Sequence, residues 1–365
     1  MGNSLHKSNT AHGGRVHEAA RCWNVSPEEV IDFSANINPL GPPPGVLRAL
    51  ENCLAPSNLR TYPDPFAFIA ALGKKHGVAT NEIVVGPGSA ALIFAVLRAL
   101  LPASVFVMIP GFDDYFRASA AVGAEVLRTR LTETNCFAPD FAGLARVIEA
   151  RQCDMVILNS PHNPTGLLYA KADLQMLVAM AEARGVTVLL DEAFIDYVPE
   201  SSLLPVAATK SRLIVLRSLT KFYSIPGLRI GYAVCAAELA AAIRDQLDSW
   251  PVSTIALEAG QAALAEREYE SESRCINAQA REEFAAGLRE IGLTVFPSAA
   301  NFLLVKLPVG SGGELAGYLE LSQILIRRCD SFCGLGDDFI RLAVRSRADN
   351  LRLVSLVETW FRRSE

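Results

Sequence analysis

Short apolar runs rich in β-branched residues recur through the middle of the chain, at 83–85, 105–109, 155–158, 186–190, 213–216 and 230–234. Amphipathic segments rich in Ala and Leu, such as 90–101 and 172–184, separate most of them. Continuous apolar strands alternating with helices predict a mostly parallel sheet covered on both faces. The ligand site of such a sheet lies at the carboxyl ends of its strands. After about residue 250 the rhythm changes. A long helical stretch over 256–291 leads into apolar runs at 293–297 and 302–306, then another helix and a run at 339–344. The pattern predicts an α/β protein with a large domain over 46–250. A smaller α+β domain is expected from 251–365 together with the N-terminal segment 1–45.

Composition changes this picture little. A chain of 365 residues, 50 % apolar, has ample material for two cores. The net charge of −5 is mild and both signs are interspersed, which argues against a nucleic-acid footprint or a membrane-binding face. Of the 8 cysteines, Cys329 and Cys333 stand four apart, but no His lies near them in sequence. Metal-ligand spacing is therefore not met, and free thiols with no bound metal are expected. Residues 1–15 are polar and lack the apolar core of a signal peptide. No apolar run is long enough to span a bilayer, so a cytoplasmic protein is expected.

The chemistry-bearing residues fall at the ends of the expected strands. Ser218-Leu219-Thr220-Lys221 closes the run 213–216, and Arg229 follows eight residues after Lys221. A lysine that forms an imine needs a lowered pKa, obtained from desolvation or a neighbouring positive charge. Ser218 and Arg229 offer a hydroxyl and a fixed cation for a phosphate. A lone lysine after a strand is usually a solvated surface residue. The surrounding pattern of Ser218, Lys221, Pro226, Gly227 and Arg229 points away from that.

Asp191 ends the run 186–190, where an aspartate taken alone is more often a helix cap or loop residue but where a carboxylate can also pair with a cationic ring nitrogen. Asn159-Ser160-Pro161-His162-Asn163-Pro164-Thr165-Gly166 makes a rigid turn after the run 155–158, with Asn163 as a candidate donor. Gly86-Pro87-Gly88-Ser89-Ala90 leads into an Ala-rich helix whose N-terminal N–H groups suit a phosphate. Ala91 occupies the last glycine position of a dinucleotide fingerprint, so that motif is not supported.

In order and spacing, Gly86 to Ala90, Phe112, Asn163, Asp191, Ser218, Lys221 and Arg229 resemble fold-type I enzymes dependent on pyridoxal 5′-phosphate (PLP), the aspartate-aminotransferase superfamily. The resemblance covers almost the whole chain. It implies an α/β PLP-dependent transferase fold, with a mostly parallel sheet between helices in the large domain and a smaller α+β domain. It further implies that Lys221 holds the cofactor as a Schiff base, that Asp191 binds the pyridine nitrogen and that Asn163 contacts the ring oxygen. Phe112 would stack on the ring, and Ser89, Ala90, Ser218 and Arg229 would cradle the phosphate. Tyr62 matches a tyrosine that reaches the phosphate of a neighbouring subunit's cofactor, which implies a homodimer with shared active sites. Arg341 matches the arginine that clamps the substrate α-carboxylate, a bidentate task suited to guanidinium. Two departures stand out. Phe194 occupies a position where many relatives carry a tyrosine, and Pro87 one where many carry asparagine, with alanine shortly after in place of an acidic residue.

Two subgroups share most of these residues: histidinol-phosphate aminotransferases and the threonine-phosphate decarboxylases of cobalamin biosynthesis. The start Thr10-Ala11-His12-Gly13-Gly14, the stretch Asp32-Phe33-Ser34-Ala35-Asn36-Ile37-Asn38-Pro39 and the residues around Lys221 are similar to the decarboxylases. The aminotransferases usually have an acidic residue where Ile37 stands. Arg327, fourteen residues before Arg341, matches an arginine that binds the substrate's phosphate. The resemblance implies that Arg327 and a His12-Gly13 turn hold a phosphate while Arg341 and Asn36 fix a carboxylate. The expected reaction is decarboxylation of L-threonine O-3-phosphate to (R)-1-aminopropan-2-yl phosphate. Amino transfer by a histidinol-phosphate aminotransferase is the alternative. A PLP-binding module without catalysis is a remote one, since such regulators carry an N-terminal helix-turn-helix and the enzyme-like region here begins at His12.

Overall fold

The computed structural model describes residues 12–56, 58, 60–150, 152–308 and 311–364. Thr10 and Ala11 of the N-terminal motif lie outside them. A seven-stranded sheet runs in the spatial order Ile83–Gly86, Gly231–Val234, Leu213–Ser218, Thr187–Asp191, Met155–Asn159, Ser104–Ile109, Glu125–Arg130. The five strands from Leu213–Ser218 outward to Glu125–Arg130 are parallel, and Gly231–Val234 is antiparallel to both its neighbours. Every residue of Met155–Asn159, Thr187–Asp191 and Leu213–Ser218 is buried, as helices on both faces require. Ser89–Leu100 and Asp113–Ala121 cover one face through Leu92, Ile93, Val96 and Tyr115. Lys171–Arg184 covers the other through Leu174, Leu177 and Val178.

Register aligns the strand ends that carry the chemistry. Asn159 is the direct partner of Asp191, and Asp191 of Leu216, two residues before Ser218. Glu125–Arg130 was not among the expected strands. As an edge strand it is largely solvated and reads Glu-Val-Leu-Arg-Thr-Arg, so it lacks the apolar run that marks the central strands.

The long helix expected over 256–291 is instead two helices, Thr254–Ala265 and Arg267–Glu290, broken where Glu266 takes ψ 66°. The second helix passes from one core to the other, with Tyr269 at its start still in the core of the large sheet. Ala256, Leu257, Ala259 and Ala263 join Phe68 and Leu72 in the core of the large sheet, so that core continues past residue 250. Phe284, Ala285 and Leu288 pack instead on a four-stranded antiparallel sheet of Arg327–Arg328, Phe339–Ala343, Phe302–Lys306 and Thr294–Val295. The short N-terminal strand Ile31–Asp32 pairs in parallel with Ile324–Leu325. No helix among the described residues is long and apolar enough to cross a membrane.

Candidate active site

A cavity of about 350 Å³ lies where the strand ends of the large sheet meet the smaller sheet, a size ordinary for small-molecule sites. Of the residues singled out in the sequence, His12, Gly13, Asn36, Ser89, Ala90, Phe112, Asn163, Asp191, Ser218, Lys221, Arg229, Arg327 and Arg341 all line it. Tyr62 does not. It stands 73 % exposed on the surface, stacked on Trp250 with ring centroids 4.0 Å apart.

Lys221 follows the strand Leu213–Ser218, and its Nζ donates to Ser218 Oγ at 3.2 Å. Burial pushes its pKa down from 10.5 to about 8; Asp191 works against that, while Arg229 and Arg341 add to it. About a tenth of the side chain is thus the free amine near pH 7, against well under a thousandth for an unperturbed lysine, and the free amine is the form that imine formation requires. Phe194 is buried beside it, its ring centroid 5.8 Å from Nζ, and packs on Phe302.

Asp191 is 4 % exposed. Tyr115 Oη donates to its Oδ2 at 2.7 Å, and the Ala193 N–H donates to Oδ1 at 3.0 Å. Burial raises the Asp191 pKa, opposed by the Tyr115 hydrogen bond and by the Lys221 charge. Asn163 is fixed at both ends of its residue. Its N–H donates to Asn159 Oδ1 at 2.7 Å, and its Oδ1 accepts from an Arg341 guanidinium N–H at 2.5 Å. With Oδ1 engaged, only the Nδ2 protons remain for the side chain to offer.

An anion cradle forms at the start of the helix Ser89–Leu100, whose cap residue Gly88 provides no side-chain hydrogen bond. Gly88 takes φ +88°, and a Cβ there would sit 2.6 Å from an Arg229 guanidinium nitrogen. The backbone conformation thus requires glycine and leaves room for the Arg229 guanidinium, whose own residue stands at φ 52° after the turn Pro226–Leu228.

The opposite wall carries two buried arginines. Arg327 and Arg341 are direct cross-strand partners, each 7 % exposed. Burial and the Arg327 charge lower the Arg341 pKa to about 10. The Arg341 guanidinium donates to Asn163 and, at 2.9 Å, to the Ser34 carbonyl, while its buried Nε has no partner. Asn36 Oδ1, buried in the same wall, also lacks one. Arg327 donates to Ser331 Oγ at 2.6 Å. Ser34 ties the N-terminal segment to this wall. Its Oγ accepts from the Gly14 N–H at 2.8 Å, and a Cβ on Gly13 would meet the Ser34 carbonyl oxygen at 2.2 Å. His12 is thereby placed at the cavity, its ring 5.7 Å from that of Phe112.

Sequence reasoning passed over Tyr115, Ser34 and Phe332, all in the cavity wall. Tyr115 carries a faint signal, three residues after Phe112 at the start of the helix Asp113–Ala121. Phe332 carries none, and Ser34 is legible only as part of the stretch 32–39, since the Arg341 guanidinium that meets its carbonyl lies 307 residues away.

A half-buried lysine with a lowered pKa, a carboxylate at the adjacent strand end and a helix-terminal anion cradle define a PLP-binding site. The unpartnered Arg341 Nε and Asn36 Oδ1 show that the facing wall is built for a further polar ligand. The aminotransferase class I and II profile matches residues 28–356, and the chain belongs to that family of PLP-dependent enzymes. Among its relatives, the threonine-phosphate decarboxylase of Salmonella typhimurium is 38 % identical over 352 residues, 95 % of each chain. The histidinol-phosphate aminotransferase of Clostridium acetobutylicum has a similar structure, with TM-score 0.84 and 30 % identity over 90 % of this chain and 98 % of that one. The L-threonine-O-3-phosphate decarboxylase of Porphyromonas gingivalis superposes with TM-score 0.81 and 25 % identity, covering 91 % of this chain and 100 % of that one. The fold is accordingly the fold-type I arrangement expected from the motifs.

Proposed function

We propose that the enzyme decarboxylates L-threonine O-3-phosphate to (R)-1-aminopropan-2-yl phosphate and CO2, a step of cobalamin biosynthesis. The observation that carries this reading is the pair of buried, cross-strand arginines in the cavity wall. Two guanidiniums side by side repel unless anions join them, and threonine phosphate brings a carboxylate and a phosphate on neighbouring carbons. The similarity to threonine-phosphate decarboxylases supports the same choice.

Bound PLP supplies an electron sink for the pair released when a bond at Cα breaks. Lys221 would hold the cofactor covalently, and its amine is placed to carry a proton to Cα. Asp191, steadied by Tyr115, would face the pyridine nitrogen and keep it protonated. Asn163 would offer Nδ2–H to the ring oxygen, without a hydroxyl from Phe194 to help, and Phe112 would pack against the ring. Ser89, Ala90, Ser218 and Arg229 bind the cofactor phosphate. Arg341 and Asn36 hold the substrate carboxylate, while Arg327, His12 and Gly13 hold its phosphate. We assign Tyr62 to the cofactor phosphate of a second subunit. Its exposure together with Trp250 and Phe66 supports a homodimer with shared sites.

The test is to incubate the PLP-loaded enzyme with threonine phosphate, and in parallel with histidinol phosphate plus 2-oxoglutarate. Release of CO2 in the first and no glutamate in the second is expected. Glutamate without CO2 would establish amino transfer instead.

A further inference from the structure

Phe332 lies on the segment between the strands Arg327–Arg328 and Phe339–Ala343. Its N–H donates to the Cys329 carbonyl at 2.9 Å, and its own carbonyl accepts from the Leu335 N–H at 3.0 Å. These two turns fix its backbone. The ring belongs to the same apolar core as Phe296 and Phe339 and is 6 % exposed, yet it also lines the cavity. The Arg327 guanidinium carbon stands 4.9 Å from its centroid and that of Arg341 6.0 Å. One rigid ring therefore touches both buried cations. Such contacts attract a cation through its flat face and form no ion pair, and the Arg341 Nε is left without a hydrogen-bond partner. Next to it, Ser331 Oγ accepts from Arg327 at 2.6 Å and sets the turn of that guanidinium.

We infer that Phe332 is a positioning residue that sets the angle between the carboxylate anchor and the phosphate anchor, and so decides which bond at Cα breaks. The inference rests on the reading given above for the two arginines. The bond that breaks is the one perpendicular to the cofactor ring, because only that bond overlaps the ring's π system. In the productive pose it is the bond from Cα to the carboxylate carbon. Its electron pair stays with Cα, CO2 leaves, and a proton from Lys221 takes the vacant position. If the substrate turns, the Cα–H bond breaks instead. Lys221 accepts that proton and returns it to the aldehyde-derived carbon of the cofactor. Water then releases the 2-oxo acid, and the amino group stays behind on the cofactor as its amine form.

The test compares wild type with Phe332→Leu, Phe332→Met and Phe332→Tyr as holoenzymes on threonine phosphate. It reads the amount of amine-form cofactor produced per CO2 released, by absorbance and mass spectrometry. Leucine and methionine keep the apolar volume and remove the ring; tyrosine keeps the ring. A purely structural role lowers both products together and leaves this ratio unchanged. Losing the shared ring is expected to raise it at least about tenfold, the scale of a desolvated cation–π contact. Tyrosine should leave it within about threefold of wild type. An unchanged ratio in whichever aliphatic variant retains its cofactor overturns the inference. Wild-type enzyme that releases no CO2 from threonine phosphate overturns the underlying reading of the substrate, and that control is run first.

Discussion

Lys221→Ala lowers CO2 release from threonine phosphate by at least roughly 10³-fold, within the range for loss of a positioned proton donor. The variant also loses its covalent hold on PLP, so borohydride no longer traps the cofactor on the protein. The argument runs through the position of the side chain. Its Nζ sits at the end of the strand Leu213–Ser218, hydrogen-bonded to Ser218 and set between Asp191 and two guanidiniums. No other lysine lines the cavity among the described residues. Because burial lowers its pKa from 10.5 to about 8, the reactive amine fraction climbs as pH rises through 8 rather than through 10.5. Capture of PLP by cofactor-free wild type should accelerate through that lower window and level off above it. Stopped-flow absorbance measures the profile, and in Lys221→Ala this imine-forming phase should be missing. A residual activity above a tenth of wild type in the variant would remove Lys221 from its assigned role.

Arg341→Leu lowers kcat/KM for threonine phosphate by roughly 30-fold to several thousandfold, the range for truncating one partner of a buried charged pair, ~2–5 kcal/mol. The substrate carboxylate would meet Asn36 alone, and Asn163 Oδ1 would lose the donor that orients its amide. Stability should move differently. Arg341 is buried beside Arg327, so removing its charge relieves repulsion in the ligand-free protein and offsets the loss of the hydrogen bonds to Asn163 and Ser34. Thermal melting of the ligand-free variant is therefore expected close to wild type despite the loss of turnover. Arg341→Lys should rescue little, since an ammonium cannot reproduce two parallel N–H bonds. A kcat/KM within threefold of wild type in Arg341→Leu would mean that the carboxylate binds elsewhere.

How much the sequence disclosed depended on where each residue finds its partner. The central strands announce themselves because Met155–Asn159, Thr187–Asp191 and Leu213–Ser218 are buried on both faces and carry uninterrupted apolar runs. Asp191, Asn163 and Lys221 were readable because each sits just beyond such a run. Glu125–Arg130 escaped because one of its sides faces no neighbouring strand and its composition is polar. Side chains that act across long separations left no local trace. Tyr115 reaches Asp191 across 76 residues. Phe332 lies in a stretch without hydrophobic period, and only the pairing of Arg327 with Arg341 makes its position meaningful. Tyr62 is the reverse case. A local motif singled it out, yet it stacks on Trp250 and lies outside the cavity.

The most direct test of which bond this site breaks is to run the reaction on threonine phosphate in D2O and follow the hydrogen at Cα by mass spectrometry and NMR. Cleavage of the bond to the carboxylate should give an amine product that keeps its original Cα hydrogen and gains one deuteron from Lys221 as CO2 leaves. Loss of the original Cα hydrogen to solvent, with deuterium appearing in recovered substrate and no CO2, would contradict the account and assign the cavity to amino transfer.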